Sequence, residues 1–473
     1  MAKDPRILIL GAGPTGLGAA WRLKEAGYTN WLLAEKGTAA GGLAASLVDE
    51  KGFTWDLGPH VLHSHYDYFD RVMDGLPDVE WLKHRREAWI WIKERFVPYP
   101  LQNNLRGLPM ATLGKCLYGL FQRRHYQKGD VKNFKDWIYR QFGPGIATLF
   151  LMPYNRKVWA TDPADMDVQW MGDRVSTLSL SEAMTNVFLG RDNRQWGPNA
   201  FFRFPARGGT GAIWKAVNRQ LPQDHIRLNN PARRIDAFQR RVEFADGRTD
   251  SYDVLLSTIP LDQLADLMAD VPAWKEKSKT LRHTTTHLVG LGMEGPIPES
   301  LSQKSWIYLP ESRHPFYRIS VFSNFSPNNV PTTGGQYWSL LCEAADEPSA
   351  VRPLKDVAAA GEKALREAGI LPMSSRIASR WMMTLRHGYP VPFLGRDSVL
   401  AEIEKELRAV NIWSRGRFGG WKYEASNQDH CFMQGVEFVD HVLHGQDEVT
   451  YPQPFLVNQR SAGHPKKTAS PAS

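Results

Sequence analysis

The chain has 473 residues, 42% of them hydrophobic and 23% charged, which fits two or three folded domains and excludes wholesale disorder. Its 39 glycines and 31 prolines show no collagen-like period, and no run of eighteen apolar residues reads as a membrane span. The net charge of +8 is dispersed, and none of its denser patches (83–86, 122–128, 466–467) interleaves with aromatics in an RNA-binding pattern. An anionic small molecule is therefore the expected partner, with no nucleic acid and no membrane insertion.

The opening MAKDPRILIL has no long apolar core before a small-residue cleavage site, so no secretory signal is expected. Cys116, Cys342 and Cys431 are widely separated and odd in number. That argues against a disulfide framework or a metal site and for a reducing, cytoplasmic setting.

In chain order, RILIL reads as a buried strand, GAGPTGLG as a glycine turn, AAWRLKEAG as a helix stopped by Gly27, and WLLAE as a second strand. Helical apolar spacing marks 113–126 and 136–159, within a mainly helical region from about 105 to 200. A hairpin turn at Asp246-Gly247 follows, then the apolar strand DVLLST. The runs THLVGLGM, SWIYL, FYRISVFS and YWSLLCE predict an antiparallel sheet. An amphipathic helix (LKDVAAAGEKALREAG) and the strand RIASRWMMTL come next. IWSRGRFGG then reads as a strand and glycine loop leading into a helix near CFMQGVEFVDHVLHG. Polar, Pro/Ser-rich residues from Gln459 onward predict a disordered tail, and there are no internal repeats.

Gly11, Gly13 and Gly16 form GxGxxG between strand and helix. The first glycine permits the tight turn, the second lets backbone N–H groups approach a pyrophosphate, and the third lets helix pack on strand. Glu35 ends the second strand, where a carboxylate can bind ribose hydroxyls. Gly41-Gly42 and the C-terminal glycine loop add backbone donors that a flavin needs and a nicotinamide dinucleotide alone does not. Together with GGLAAS and FTWDLGPHVLH this resembles the FAD proteins that include amine oxidases and protoporphyrinogen oxidase.

The resemblance sharpens over GPHVLHSHYDYFD, VPYPLQNN, PYNRKVWATDPADM, GDRV, WGPNAFFRFPARGGTGAIW, PFYRISVFSNFSP, HGYPVP and WSRGRFGGWKYEASNQDH, in that order. This set is similar to the UDP-galactopyranose mutase family, in particular its eukaryotic-type branch, up to about residue 457. The resemblance implies an isomerase that interconverts UDP-galactopyranose and UDP-galactofuranose, or a related UDP-hexose. Reduced FAD is its nucleophile, through N5 on the anomeric carbon, and NADPH or NADH its reductant. By motif it implies catalytic His60, Arg174 and Arg318, the arginines holding the diphosphate by their planar donor forks. Cofactor contacts fall on Gly11, Gly13, Thr15, Gly16, Glu35, Gly41, Gly42, Leu43, Gly58, His60, Gly416, Arg417, Asn427 and Gln428. Substrate contacts fall on Tyr99, Gln102, Tyr154, Asn155, Trp159, Arg174, Asn199, Tyr308, Arg318, Tyr389, Tyr423 and Asn427, with Asn199 on a flap. Departures from the branch are Pro59, His63 and Leu101; Arg86 matches a residue tied to NADPH use, but Ala88 stands where serine is usual.

The implied fold is α/β. A Rossmann-like FAD-binding domain is assembled from 1–70, 206–270 and 405–457, with a substrate-sheet segment at 71–104, a helical domain with flap loops at 105–205, an antiparallel substrate sheet at 271–404 and a tail at 458–473. An FAD-dependent oxidase or desaturase on the same scaffold is the alternative reading, and a non-catalytic anion-binding protein a third. The sequence does not fix the assembly, a homo-oligomer included.

Overall fold

The computed structural model describes residues 4–126, 129–171, 185, 187, 189, 200–269 and 273–463. Five short strands form a parallel sheet in the order Ile412–Ser414, Val254–Ser257, Ile7–Leu10, Trp31–Ala34, Ile226–Arg227. Ile7–Leu10 and its two neighbours Trp31–Ala34 and Val254–Ser257 are buried at every position, which is why their sequences are apolar runs without alternation. Segments far apart in the chain therefore share one core.

Two helices, Pro14–Glu25 and Gln428–His444, cross beside this sheet at glycines. A Cβ on Gly18 would sit 2.1 Å from the Phe432 carbonyl oxygen, and one on Gly435 would sit 2.0 Å from that of Thr15. Only hydrogens fit at this crossing.

The second sheet has seven strands in the order Ile377–Leu385, Thr285–Glu294, Tyr337–Asp346, Arg318–Val321, Trp306–Tyr308, Ala88–Ile92, Arg95–Pro98. It is mixed: the strands between residues 285 and 385 pair antiparallel, as expected, and the earlier segment Ala88–Ile92 adds one parallel pairing. Trp306–Tyr308 runs parallel to Ala88–Ile92, whereas the other neighbours are antiparallel. No hairpin joins those two strands, so no tight turn dictates their relative direction. The run FYRISVFS is also shorter than read, being extended over Arg318–Val321 and a 3₁₀ turn over Phe322–Asn324.

Helices Met110–Gln122 and Phe134–Ile146 pack through Leu113, Cys116, Leu120, Ile138 and Phe142. The second continues through one π turn, Ala147–Leu151, into the helix Met152–Trp159. The Asp246-Gly247 turn does join Arg241–Phe244 to Thr249–Ser251. At the C-terminus a helix spans Pro454–Gly463, and the remainder of the tail expected to be disordered lies outside the described residues. The apolar stretch Pro454–Val457 starts this helix, with Val457 fully buried. All three cysteines are free and buried.

Candidate active site

A cavity of about 1670 Å³ runs from the glycine turn of the parallel sheet to the inner strands of the mixed sheet. At one end, Gly11 has φ +105, and Gly16 is so close to it that a Cβ would lie 1.9 Å from the Gly11 carbonyl oxygen. Gly13 differs: a Cβ there would meet only the Gly42 Cα, at 4.0 Å, so the turn is open on its cavity side. Gly13 caps the Pro14–Glu25 helix with no side-chain acceptor for the first-turn amides. Free amides, helix dipole and open backbone together fit a pyrophosphate. The Glu35 carboxylate accepts from Ala12 N–H at 2.6 Å and Gly37 N–H at 2.7 Å, which holds it at the cavity wall.

The glycine crossing brings a second helix N-terminus to the same cavity. Asn427 caps Gln428–His444, again with no side-chain hydrogen bond into the first turn. Asn427, Gln428, Gly416 and Arg417 line the wall. The preceding loop is anchored by fully buried Arg415, which donates to Glu404 at 2.7 and 3.0 Å and to Glu448 at 2.7 Å. Arg417 turns the other way. It donates to the Gly388 carbonyl at 3.0 Å and Ser426 Oγ at 3.1 Å, with its guanidinium 4.8 Å from the Tyr389 ring centre. His60 also lines the cavity, and its Nδ1 is buried without a partner. Burial, reinforced by Arg417 and Arg318, lowers its pKa to about 3, so the imidazole is neutral.

Arg318 and Tyr308 are cross-strand partners in the mixed sheet and line the far wall. The Arg318 guanidinium is held by Glu343 on the adjacent strand, through Nε to Oε2 and Nη2 to Oε1 at 2.8 Å, and Nη2 reaches the Tyr389 hydroxyl at 3.4 Å. Tyr317 also donates to Glu343, at 3.0 Å. Burial opposes the Arg318 charge, but Glu343 raises its pKa further, and the cation persists. Aromatic rings extend the wall: Tyr99 lies 4.9 Å from Tyr308 and Tyr423 lies 5.8 Å from Tyr389.

Eighteen of the expected residues border this one space: Gly11, Gly13, Thr15, Glu35, Gly42, Leu43, Gly58, His60, Tyr99, Gln102, Tyr308, Arg318, Tyr389, Gly416, Arg417, Tyr423, Asn427 and Gln428. Gly16 sits behind the turn, and Gly41 precedes the Gly42–Ala44 3₁₀ turn with φ +130. Tyr154, Asn155 and Trp159 form a layer behind the wall. Tyr154 packs edge-on to Tyr308 at 5.4 Å and Trp159 to Tyr423 at 4.9 Å, while Asn155 accepts from Trp159 Nε1 at 3.2 Å. Arg174 and Asn199 lie outside the described residues. Sequence reasoning missed Glu343, although a lone acid in the apolar run YWSLLCE was the signal. It also missed the Gly18–Gly435 crossing, which no local pattern marks.

The family of flavin containing amine oxidoreductases matches residues 14–386. The chain is similar to a crystal structure of reduced UDP-galactopyranose mutase at 42% identity, covering 96% of this chain and 97% of that one, with a TM-score of 0.93. A fatty acid isomerase from P. acnes (16% identity, 93% and 99% covered, TM-score 0.63) and a putrescine oxidase bound to putrescine (14%, 93% and 99%, 0.63) share the fold.

Proposed function

Because this chain belongs to the UDP-galactopyranose mutase family, within the flavin containing amine oxidoreductases, we propose that it interconverts UDP-galactopyranose and UDP-galactofuranose, or a closely related UDP-hexose. The observation that carries this reading is the far wall: Arg318, braced by buried Glu343 and ringed by Tyr308, Tyr389 and Tyr423, shares a cavity with the glycine cradle. An oxidase of a neutral or cationic substrate has no use for a cation set there to meet an anion. The oxidase likenesses, all under 20% identity, speak for fold alone.

The cradle suits FAD: Gly11, Gly13 and the Pro14–Glu25 helix face the pyrophosphate, Glu35 the ribose, and Asn427 with Gln428 the flavin edge. Bound and reduced, the flavin supplies a nucleophilic N5 that lets one difficult exchange proceed as easier covalent steps. The protein does the rest. Arg318 gives the diphosphate a permanent charge and a directional fork, and the tyrosine hydroxyls add donors, so UDP stays bound while its bond to the sugar is broken. Neutral His60, whose Nδ1 is buried without a partner, holds no competing positive charge there. Trp159, packed behind Tyr389 and Tyr423, keeps both rings in place.

NADPH or NADH as reductant is supported by Arg86, which borders the cavity with its guanidinium 5.2 Å from the Trp306 ring centre. Among the described residues no helix is long and apolar enough to cross a membrane.

The deciding experiment is anaerobic incubation of the dithionite-reduced protein with UDP-galactopyranose, followed by chromatography for the furanose isomer. Its appearance only with reduced protein supports the reading. Its absence alongside retained FAD and tight UDP binding points to another UDP-hexose, and absence of UDP binding rejects the mutase assignment.

A further inference from the structure

Lys157 lies on the Met152–Trp159 helix, between Tyr154 and Trp159, and does not border the cavity. Its ammonium donates to the backbone carbonyls of Leu309, His314 and Phe316, each at 2.6 Å, and approaches that of Glu311 at 3.3 Å. Every one of these acceptors belongs to the loop that leaves Tyr308 and returns to Arg318, which are cross-strand partners. The three N–H donors are thus fully engaged with one short segment of main chain.

Holding an ammonium partly out of water is costly, and among the described residues no carboxylate forms an ion pair with this one. Apolar packing would stabilise the helix more cheaply. What the ammonium adds is direction: carbonyls from four points of the loop must all turn toward one atom on the helix. We infer that Lys157 is a positioning residue, fixing the loop so that Tyr308 and Arg318 meet the substrate diphosphate in register with the helix that carries Tyr154 and Trp159. This rests on the mutase reading. The Tyr154–Tyr308 ring contact at 5.4 Å is the second tie across the same seam, and it lacks the directionality of hydrogen bonds.

The test is UDP affinity measured by calorimetry at a temperature well below melting, on flavin-loaded protein. Lys157→Met keeps the stem and removes the ammonium. It should weaken UDP binding by about tenfold or more, because small misplacement of a clamp is costly. KM should rise more than kcat falls, since the diphosphate is gripped in ground and transition states alike. FAD content should match wild type. Lys157→Ala leaves a cage of four carbonyls, and added methylammonium should restore UDP affinity in a saturable way; Lys157→Arg, whose broad fork does not fit the cage, should not. Wild-type UDP affinity in Lys157→Met, or rescue of melting temperature without rescue of affinity, overturns the inference. If neither Lys157→Met nor the milder Lys157→Gln folds, Lys157 serves folding, and the positioning role is likewise rejected. Wild type assayed in parallel keeps the two claims apart. Tight UDP binding with no isomerisation of UDP-galactopyranose or of any other UDP-hexose sinks the mutase reading, whereas the variants' UDP affinities still decide the role of Lys157.

Discussion

Gly13 and Arg318 show how differently single residues can be committed to a site. Gly13 has an ordinary φ of −75, and a Cβ there would touch nothing closer than 4.0 Å. A side chain is therefore tolerated by the fold and excluded only by what occupies the cradle. Gly13→Val should purify folded and nearly colourless, checked by the 450 nm flavin band against circular dichroism. Arg318 serves two masters, the cavity and Glu343, which is 2% exposed. Arg318→Ala should weaken UDP by about 2–5 kcal/mol and also destabilise the fold by a similar amount, about 3–5 kcal/mol, because a buried carboxylate loses its partner. Adding Glu343→Gln should restore much of the stability and none of the UDP affinity, as read by urea melts and calorimetry. Recovery of UDP affinity in the double variant would mean Arg318 acts only through Glu343.

Elements meet at contacts that allow no slack. The two helices whose N-termini converge on the cavity cross where Gly18 and Gly435 stand within about 2 Å, as Cβ positions, of opposing carbonyls. Backbone cannot move aside as a flexible side chain would. Gly18→Val or Gly435→Val should cost about 1–3 kcal/mol or more and lower flavin occupancy together with melting temperature, unlike Gly13→Val. A second junction is Asp56, fully buried and accepting from Ser46 Oγ, Thr210 Oγ1 and Thr210 N–H, which ties the Ser46–Val48/Thr54–Asp56 hairpin to the helix Gly211–Arg219. Burial outweighs those hydrogen bonds and raises its pKa to about 7. The neutral carboxyl is favoured in the folded state, so its contribution is complete below about pH 4 and is lost as pH rises through about 7. Asp56→Asn should flatten urea-derived stability between pH 5 and 8, by no more than about 4 kcal/mol. An unchanged slope would assign the pH dependence elsewhere.

For the whole molecule, the cavity joins two sheets with different tasks: the parallel sheet supplies amides and dipoles, the mixed sheet supplies a braced cation and hydroxyls. Pyranose and furanose isomers share one oxidation state, so turnover should need reduced flavin yet consume no stoichiometric reductant. Anaerobic protein reduced once should turn over many equivalents of sugar nucleotide, and oxygen electrode traces should show no uptake coupled to product. Isomerisation by fully oxidised protein, or oxygen consumed one-to-one with product, would contradict this.

The sequence by itself determined what depends on near neighbours. GxGxxG between an apolar run and a helical one dictates the turn, the acid after WLLA dictates the carboxylate at the strand end, and Asp246-Gly247 dictates a hairpin. The ordered motifs pointed to the residues that border the cavity, since each carries its own chemistry wherever the chain places it. Tertiary structure decided what depends on distant partners. In SRGR, nothing local separates Arg415, which is sealed between Glu404 and Glu448, from Arg417, which turns to the cavity wall. The parallel pairing of Trp306–Tyr308 with Ala88–Ile92 was invisible for the same reason, because strand direction across segments far apart in sequence is set by packing and not by a turn. So were the partnership of Arg318 with Glu343 and the carbonyl cage around Lys157. Each arises only when strands and loops remote in sequence are brought within hydrogen-bonding distance.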